Sequence, residues 1–201
     1  MIKKGLIGIV GLAIFLTFAF NLKSDWVKSF DQLGIDTFRG NSFLEPFHYI
    51  GEPIFVVIVA IILLVFLWFK AQNFRAMIFA LITIAGGNLI NTTAKKIIQR
   101  DRPDIPDQLT SYSFPSGHSM TGALYLLTLA YLLTEFRSTG QKVFAYFIAI
   151  GLTICVGLSR VAGMRHYISD VISGWSLGVA VFMVAVIWYE RRKRTFESLQ
   201  K

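Results

Sequence analysis

Only one cysteine, few charges and no flexible linker are present in this sequence, and each scarcity excludes something. The lone Cys155 cannot form an intramolecular disulfide, and its place inside an apolar run marks it for burial. Charged residues make up 16% of the 201, against roughly 25% in a soluble domain. No long internal repeat, low-complexity segment or linker divides the chain, so residues 1–201 are read as one domain. What is present is apolar: 54% of the residues are hydrophobic and the mean hydropathy is +0.57. These residues come in long blocks, as in an integral membrane protein. The formal net charge of +8 would suit a nucleic-acid binder, but the cations flank apolar runs instead of forming a stripe. That excludes nucleic acid as the partner and names the membrane instead.

The runs predict an all-α integral membrane protein with six transmembrane helices in one bundle. The first spans Gly5 to Phe20 after Lys3 and Lys4; no small-x-small site follows, so it is read as a retained helix and not a signal peptide. Residues 21–52 carry Trp26, Phe30, Leu33 and Phe38 at helical spacing, which predicts a short interfacial helix in the first outer loop. His48 there has no motif around it and is read as an interfacial histidine. The second span is Pro53 to Phe69 and a third starts near Ala76. A fourth ends near Leu133, a fifth covers Val143 to Leu158, and the sixth covers Val171 to Trp188. Gly174 and Gly178 on the sixth are read as a close-packing pair within the chain.

Polar residues inside such helices mark a site. Asn88, Asn91, Lys95, Gln99 and Arg102 follow at steps of three, four, four and three, one face of a helix that Pro103 should end. Lys96 and Arg100 lie off this face and are read as snorkelling. Asp101, Asp104 and Asp107 surround the proline among arginines and are read as solvated loop charges, not a metal site. The run Ser113-Phe114-Pro115-Ser116-Gly117-His118-Ser119 precedes the fourth span. A capped, glycine-bearing helix start presents unpaired N–H groups to an anion; an ordinary capped turn would read the same. The stretch Ser159 to Asp170 places Arg160 on a turn and His166 four residues before Asp170, one above the other on a helix. A carboxylate there fixes the imidazole tautomer and leaves the other nitrogen to act as base or nucleophile.

Lys95, six residues, then Arg102-Pro103; Pro115-Ser116-Gly117-His118; Ser159-Arg160, five residues, His166, three residues, Asp170: this set resembles the three-part signature of the type 2 phosphatidic acid phosphatase family, whose soluble relatives include vanadium haloperoxidases. No motif position departs from the pattern. The resemblance implies a metal-independent lipid phosphatase that needs no cofactor and no obligatory protein partner. Its substrate would be a phospholipid such as phosphatidylglycerophosphate, or a polyprenyl diphosphate such as undecaprenyl diphosphate. It assigns His166, oriented by Asp170, as nucleophile forming a phosphohistidine, and His118 as the acid for the leaving oxygen. Lys95, Arg102, Arg160, Ser116 and Gly117 would bind the phosphate. A phosphotransferase to a lipid acceptor, and a transporter or scramblase with a vestigial site, are the alternatives. The intact ionisable set argues against the latter.

Six spans put both termini on one side. The segments there hold Lys3, Lys4, Lys70, Arg75, Arg137, Lys142 and five C-terminal cations, eleven of the 20 Lys and Arg. The positive-inside rule then predicts cytoplasmic termini in the cell membrane, with the site facing outside.

Overall fold

The computed structural model describes residues 1–69 and 72–199, with side chains as far as Arg191. Lys70, Lys201 and the side chains of Arg192, Lys193 and Arg194 lie outside it, and so does the part of the basic-flank expectation that rests on them. The described residues hold helices and no strands. They are α1 (Ile2–Asn21), α2 (Asp25–Phe38), a 3₁₀ turn (Glu45–Phe47), α3 (His48–Gly51), α4 (Pro53–Phe69), α5 (Phe74–Leu81), a π-helical segment (Ile82–Gly86), α6 (Gly87–Ile98), α7 (Gly117–Leu133), α8 (Thr139–Ala162) and α9 (Ile168–Leu199).

Four stretches are long and apolar enough to cross a membrane: α1, residues 74–98, α8 and the first 24 residues of α9. A fifth results if the segment before Pro53 and α4 count as one crossing bent by 47°. At 17 residues, α7 is shorter than the roughly 20 of an ordinary span.

The centre of the bundle is α7. Met120, Ala123, Leu124 and Tyr125 on it are buried, and it packs against both α8 and α9. Small residues make this possible. A Cβ on Gly174 would lie 2.6 Å from the Ser116 carbonyl oxygen, and one on Gly178 would lie 3.1 Å from that of Met120. The two glycines therefore bring α9 backbone to backbone against α7, the intrachain contact their spacing predicts. α1 runs along α9 on the other side. The outward faces of α1, α4 and α8 expose Ile9, Ile58, Ile62 and Phe147, a surface suited to hydrocarbon.

The predicted interfacial helix is α2, but its inner face is docked onto protein. Val27, Asp31 and Gly34 are buried, and a Cβ on Gly34 would sit 2.6 Å from that of Ile168. At the end of the bundle near the N-terminus, Lys4 pairs with Glu190. Nearby, Arg75 stacks over Tyr189 at 4.6 Å, whose hydroxyl donates to Glu135 at 3.1 Å. Every candidate site residue lies at the opposite end.

Candidate active site

The chain after α6 does not continue as a helix to Arg102. It stops at Ile98, and Gln99 takes a left-handed C-cap with φ +53°. Lys95 and Arg102 therefore do not share a helix face, and Gln99 points outward, exposed. Arg102 reaches the site from the loop instead. Its Nε donates to the Ser111 carbonyl at 2.7 Å and its Nη1 to the Arg165 carbonyl at 2.5 Å. Asp101, Asp104 and Asp107 are exposed, as solvated loop charges should be.

His166 also departs from expectation. It lies two residues before α9, on the loop, and not on the helix with Asp170. Arg160 sits in the last turn of α8, not on a turn. The pairing survives: His166 Nδ1 faces Asp170 Oδ2 at 3.4 Å. Its Nε2 faces Arg102 Nη1 at 3.1 Å. A guanidinium can only donate, so Nε2 accepts and the ring proton sits on Nδ1, toward Asp170. Burial holds His166 down at about 3, with Asp170 pulling the other way. The ring is thus neutral at physiological pH, with a lone pair on Nε2.

Asp170 is fixed on every side. It accepts the Tyr167 N–H at 3.0 Å and Arg100 Nη1 at 2.5 Å. Arg100 also grips Asp31 at 2.5 Å and Ser169 Oγ at 2.7 Å, and lies over the Tyr167 ring at 4.2 Å. Asp31 in turn accepts the Ser169 N–H at 3.0 Å. Burial opposes the Arg100 charge, but Asp170 and Asp31 outweigh it and raise Arg100 above its ordinary value. Arg100 is therefore no snorkelling cation, as off-stripe spacing predicts, but the clamp that joins α2 to α9. Asp31 had one legible signal, a carboxylate on the apolar face of an amphipathic helix.

Lys95 and Arg102 lie beside His166, and Arg160 lies toward His118 and Glu52. Lys95 Nζ donates to the Tyr112 carbonyl at 2.5 Å and to the Ser113 carbonyl at 3.0 Å. Arg160 is buried, and its Nε has no hydrogen-bond partner among the described residues. Burial, reinforced by neighbouring Arg165 and opposed by Asp170, lowers Arg102 from its ordinary value. Such a crowd of like charge is relieved by an anion.

The start of α7 supplies donors, though fewer than the sequence suggests. The Ser116 amide is spent on the Asp170 carbonyl at 3.0 Å. Its Oγ caps the helix by accepting the Ser119 N–H at 3.4 Å. The amides of Gly117 and His118 remain for an anion. Gly117 leaves its backbone bare beside Lys95: a Cβ there would lie 4.0 Å from Lys95 Cε and 3.3 Å from Asn91 Oδ1. Asn91 Nδ2 donates to the Pro115 carbonyl at 3.3 Å, tying α6 to this corner. In the first turn of α7, His118 Nε2 faces Glu52 Oε1 at 3.3 Å. Glu52 has no signal in the sequence, since a carboxylate before a helix-starting proline is an ordinary N-terminal charge.

An apolar cavity of about 360 Å³ opens from His118 and Gly117. It runs between α4 (Val56, Ile61) and the π-helical segment (Ile84).

The PAP2 superfamily matches residues 75–194. Phosphatidylglycerophosphatase B of Bacillus subtilis is 31% identical over 159 residues, 77% of each chain. Lipid A 1-phosphatase of Rhizobium etli is 30% identical over 136 residues, 62% of this chain and 52% of that protein. The crystal structure of a transmembrane PAP2 type phosphatidylglycerolphosphate phosphatase from Bacillus subtilis superposes with a TM-score of 0.82 at 26% identity. It covers 92% of this chain and 96% of that one.

Proposed function

Because the chain belongs to the PAP2 superfamily, we propose that it hydrolyses a lipid phosphomonoester or diphosphate through a phosphohistidine on His166. The observation that carries this reading is the placement of His166, whose Nδ1 faces Asp170 Oδ2 at 3.4 Å and whose Nε2 faces Arg102 Nη1 at 3.1 Å. A phosphoryl group beside Arg102 meets a neutral nucleophile, three cations and the amides of Gly117 and His118. These supply the charge neutralisation that phosphoryl transfer needs.

Nε2 attacks phosphorus while the P–O bond to the leaving group breaks, and His118 gives its proton to the departing oxygen. Water then attacks phosphorus while the P–N bond breaks and its electrons return to Nε2, with His118 taking the water proton, and phosphate leaves. With Lys95, Arg102 and Arg160 in place the step runs without a metal, so activity should survive EDTA. Vanadate should inhibit competitively. The cavity beside His118 supports a lipid substrate, because its apolar walls suit an acyl or prenyl chain.

In this reading α1, the bent α3–α4 pair, α5–α6, α7, α8 and α9 make six crossings of the cell membrane. The termini are cytoplasmic and the site faces outside. A membrane-impermeant maleimide on intact cells should label a cysteine at position 107 and spare one at 140, in a Cys155→Ser background. For the activity itself, the test is phosphate release by purified protein in detergent from phosphatidylglycerophosphate, phosphatidate and undecaprenyl diphosphate. Release from none of the three would contradict the reading and favour a transport role.

A further inference from the structure

From the contact between Glu52 and His118 we infer that Glu52 is a positioning residue for proton delivery to the leaving oxygen, needed most when that oxygen becomes an alcohol. The inference rests on the phosphatase reading above and deepens it.

Glu52 follows α3 and immediately precedes Pro53, the first residue of α4. That segment belongs to none of the three motifs, yet it meets α7 at the site. A Cβ on Gly51 would lie 2.9 Å from His118 Cδ2, so the bare backbone at position 51 lets this segment close onto the imidazole. The carboxylate next to it then lies 3.3 Å from Nε2. By holding Nε2, Glu52 fixes the ring orientation and leaves the other nitrogen for the leaving oxygen.

The charges around His118 give that carboxylate its purpose. Arg160 from α8 and His48 from α3 face the ring with like charge when it is protonated, and Glu52 faces it with the opposite charge. A site crowded with cations for phosphate works against the imidazolium that must protonate the leaving group. Glu52 offsets part of this where the proton is needed.

The demand for that proton depends on the substrate. When His166 Nε2 displaces the alkoxide of a lipid phosphomonoester, the broken P–O bond leaves both electrons on oxygen. The proton from His118 then converts it to an alcohol. An aryl oxide, or the phosphate that leaves from a diphosphate, is stable without it. Loss of Glu52 should therefore slow phosphomonoester lipids selectively.

The experiment compares wild-type protein with Glu52→Gln in detergent, on phosphatidate and on p-nitrophenyl phosphate. The variant should lose about 10- to 100-fold in kcat on phosphatidate, part of the range for acid–base catalysis. On the aryl phosphate it should lose less than about 3-fold, with KM nearly constant on both. Adding Glu52→Gln to His118→Asn should cost nothing further on phosphatidate. Equal losses on both substrates, a change confined to KM, or a full additional loss in the double variant would overturn the inference. Should Glu52→Gln fail to fold, Glu52→Asp carries the same comparison: it must show a smaller deficit on the aryl phosphate than on phosphatidate, and equal deficits overturn the inference. A wild type that hydrolyses neither substrate would sink the phosphatase reading itself. A wild type that hydrolyses both, with an unaffected variant, would sink Glu52 alone.

Discussion

Two histidines in this molecule each face a carboxylate, and the two pairs are built in opposite ways. The His166–Asp170 side chains are 2% and 0% exposed, while those of His118–Glu52 are 16% and 44% exposed. The first pair is also clamped from outside by Arg100 and Asp31. This difference matches the role proposed for each histidine. A nucleophile needs one tautomer and a fixed lone pair, so enclosure serves it. A residue that gives up a proton and takes one from water must stay in reach of solvent.

Removing the proposed nucleophile breaks the comparison most severely. His166→Asn should lower phosphate release by about 10⁴-fold or more, on good and poor leaving groups alike. A variant that retained the aryl phosphate rate would show that the buried histidine is not the attacking group.

Next is the clamp. Arg100→Ala strands two buried carboxylates, Asp31 and Asp170, and breaking a buried ion pair costs about 3–5 kcal/mol. Thermal unfolding in detergent should shift down accordingly, with most of the activity lost. Adding Asp31→Asn should recover part of the stability but not the activity, because Asp170 still lacks its Arg100 partner. Unchanged melting in Arg100→Ala would mean the clamp contributes nothing.

His118→Asn should cost about 10²- to 10⁴-fold on a lipid phosphomonoester, with partial rescue of the first step by an aryl leaving group. Absence of rescue in burst kinetics would remove the acid role from the open pair.

The smallest effect is on pH. Folded His166 is held at about 3 against an ordinary 6.5. Between those values the unfolded chain takes up a proton that the folded chain refuses. Stability from the neutral ring is therefore complete above 6.5 and is lost as pH falls toward 3. Melting temperatures should decline across that window, and His166→Asn should flatten part of the decline; equal slopes would contradict the burial argument.

Much of this was legible in the sequence. Pro53 to Phe69 is helical throughout, because a proline at N1 and an unbroken apolar run leave little choice. The motif residues Lys95, Arg102, Ser116, Gly117, His118, Arg160, His166 and Asp170 gather at one end of the bundle. What spacing could not give was the backbone between them. Periodicity puts Arg102 on the Lys95 face two turns on, but the left-handed cap at Gln99 sends the chain elsewhere. Helical periodicity cannot see where a helix stops before a proline-bearing loop. The pairings of Asp31, Arg100 and Glu52 were hidden for a related reason: each meets its partner across 66 to 70 residues of chain, and a single sequence carries no record of such distant contacts.

The central claim is that His166 carries the phosphoryl group. Wild-type protein mixed with ³²P-labelled lipid substrate and quenched in alkali should hold label that peptide mapping by mass spectrometry places on Nε2 of His166. His166→Asn should hold none and turn over no substrate. Label on Ser116 or His118, or sustained hydrolysis by His166→Asn, would contradict the account.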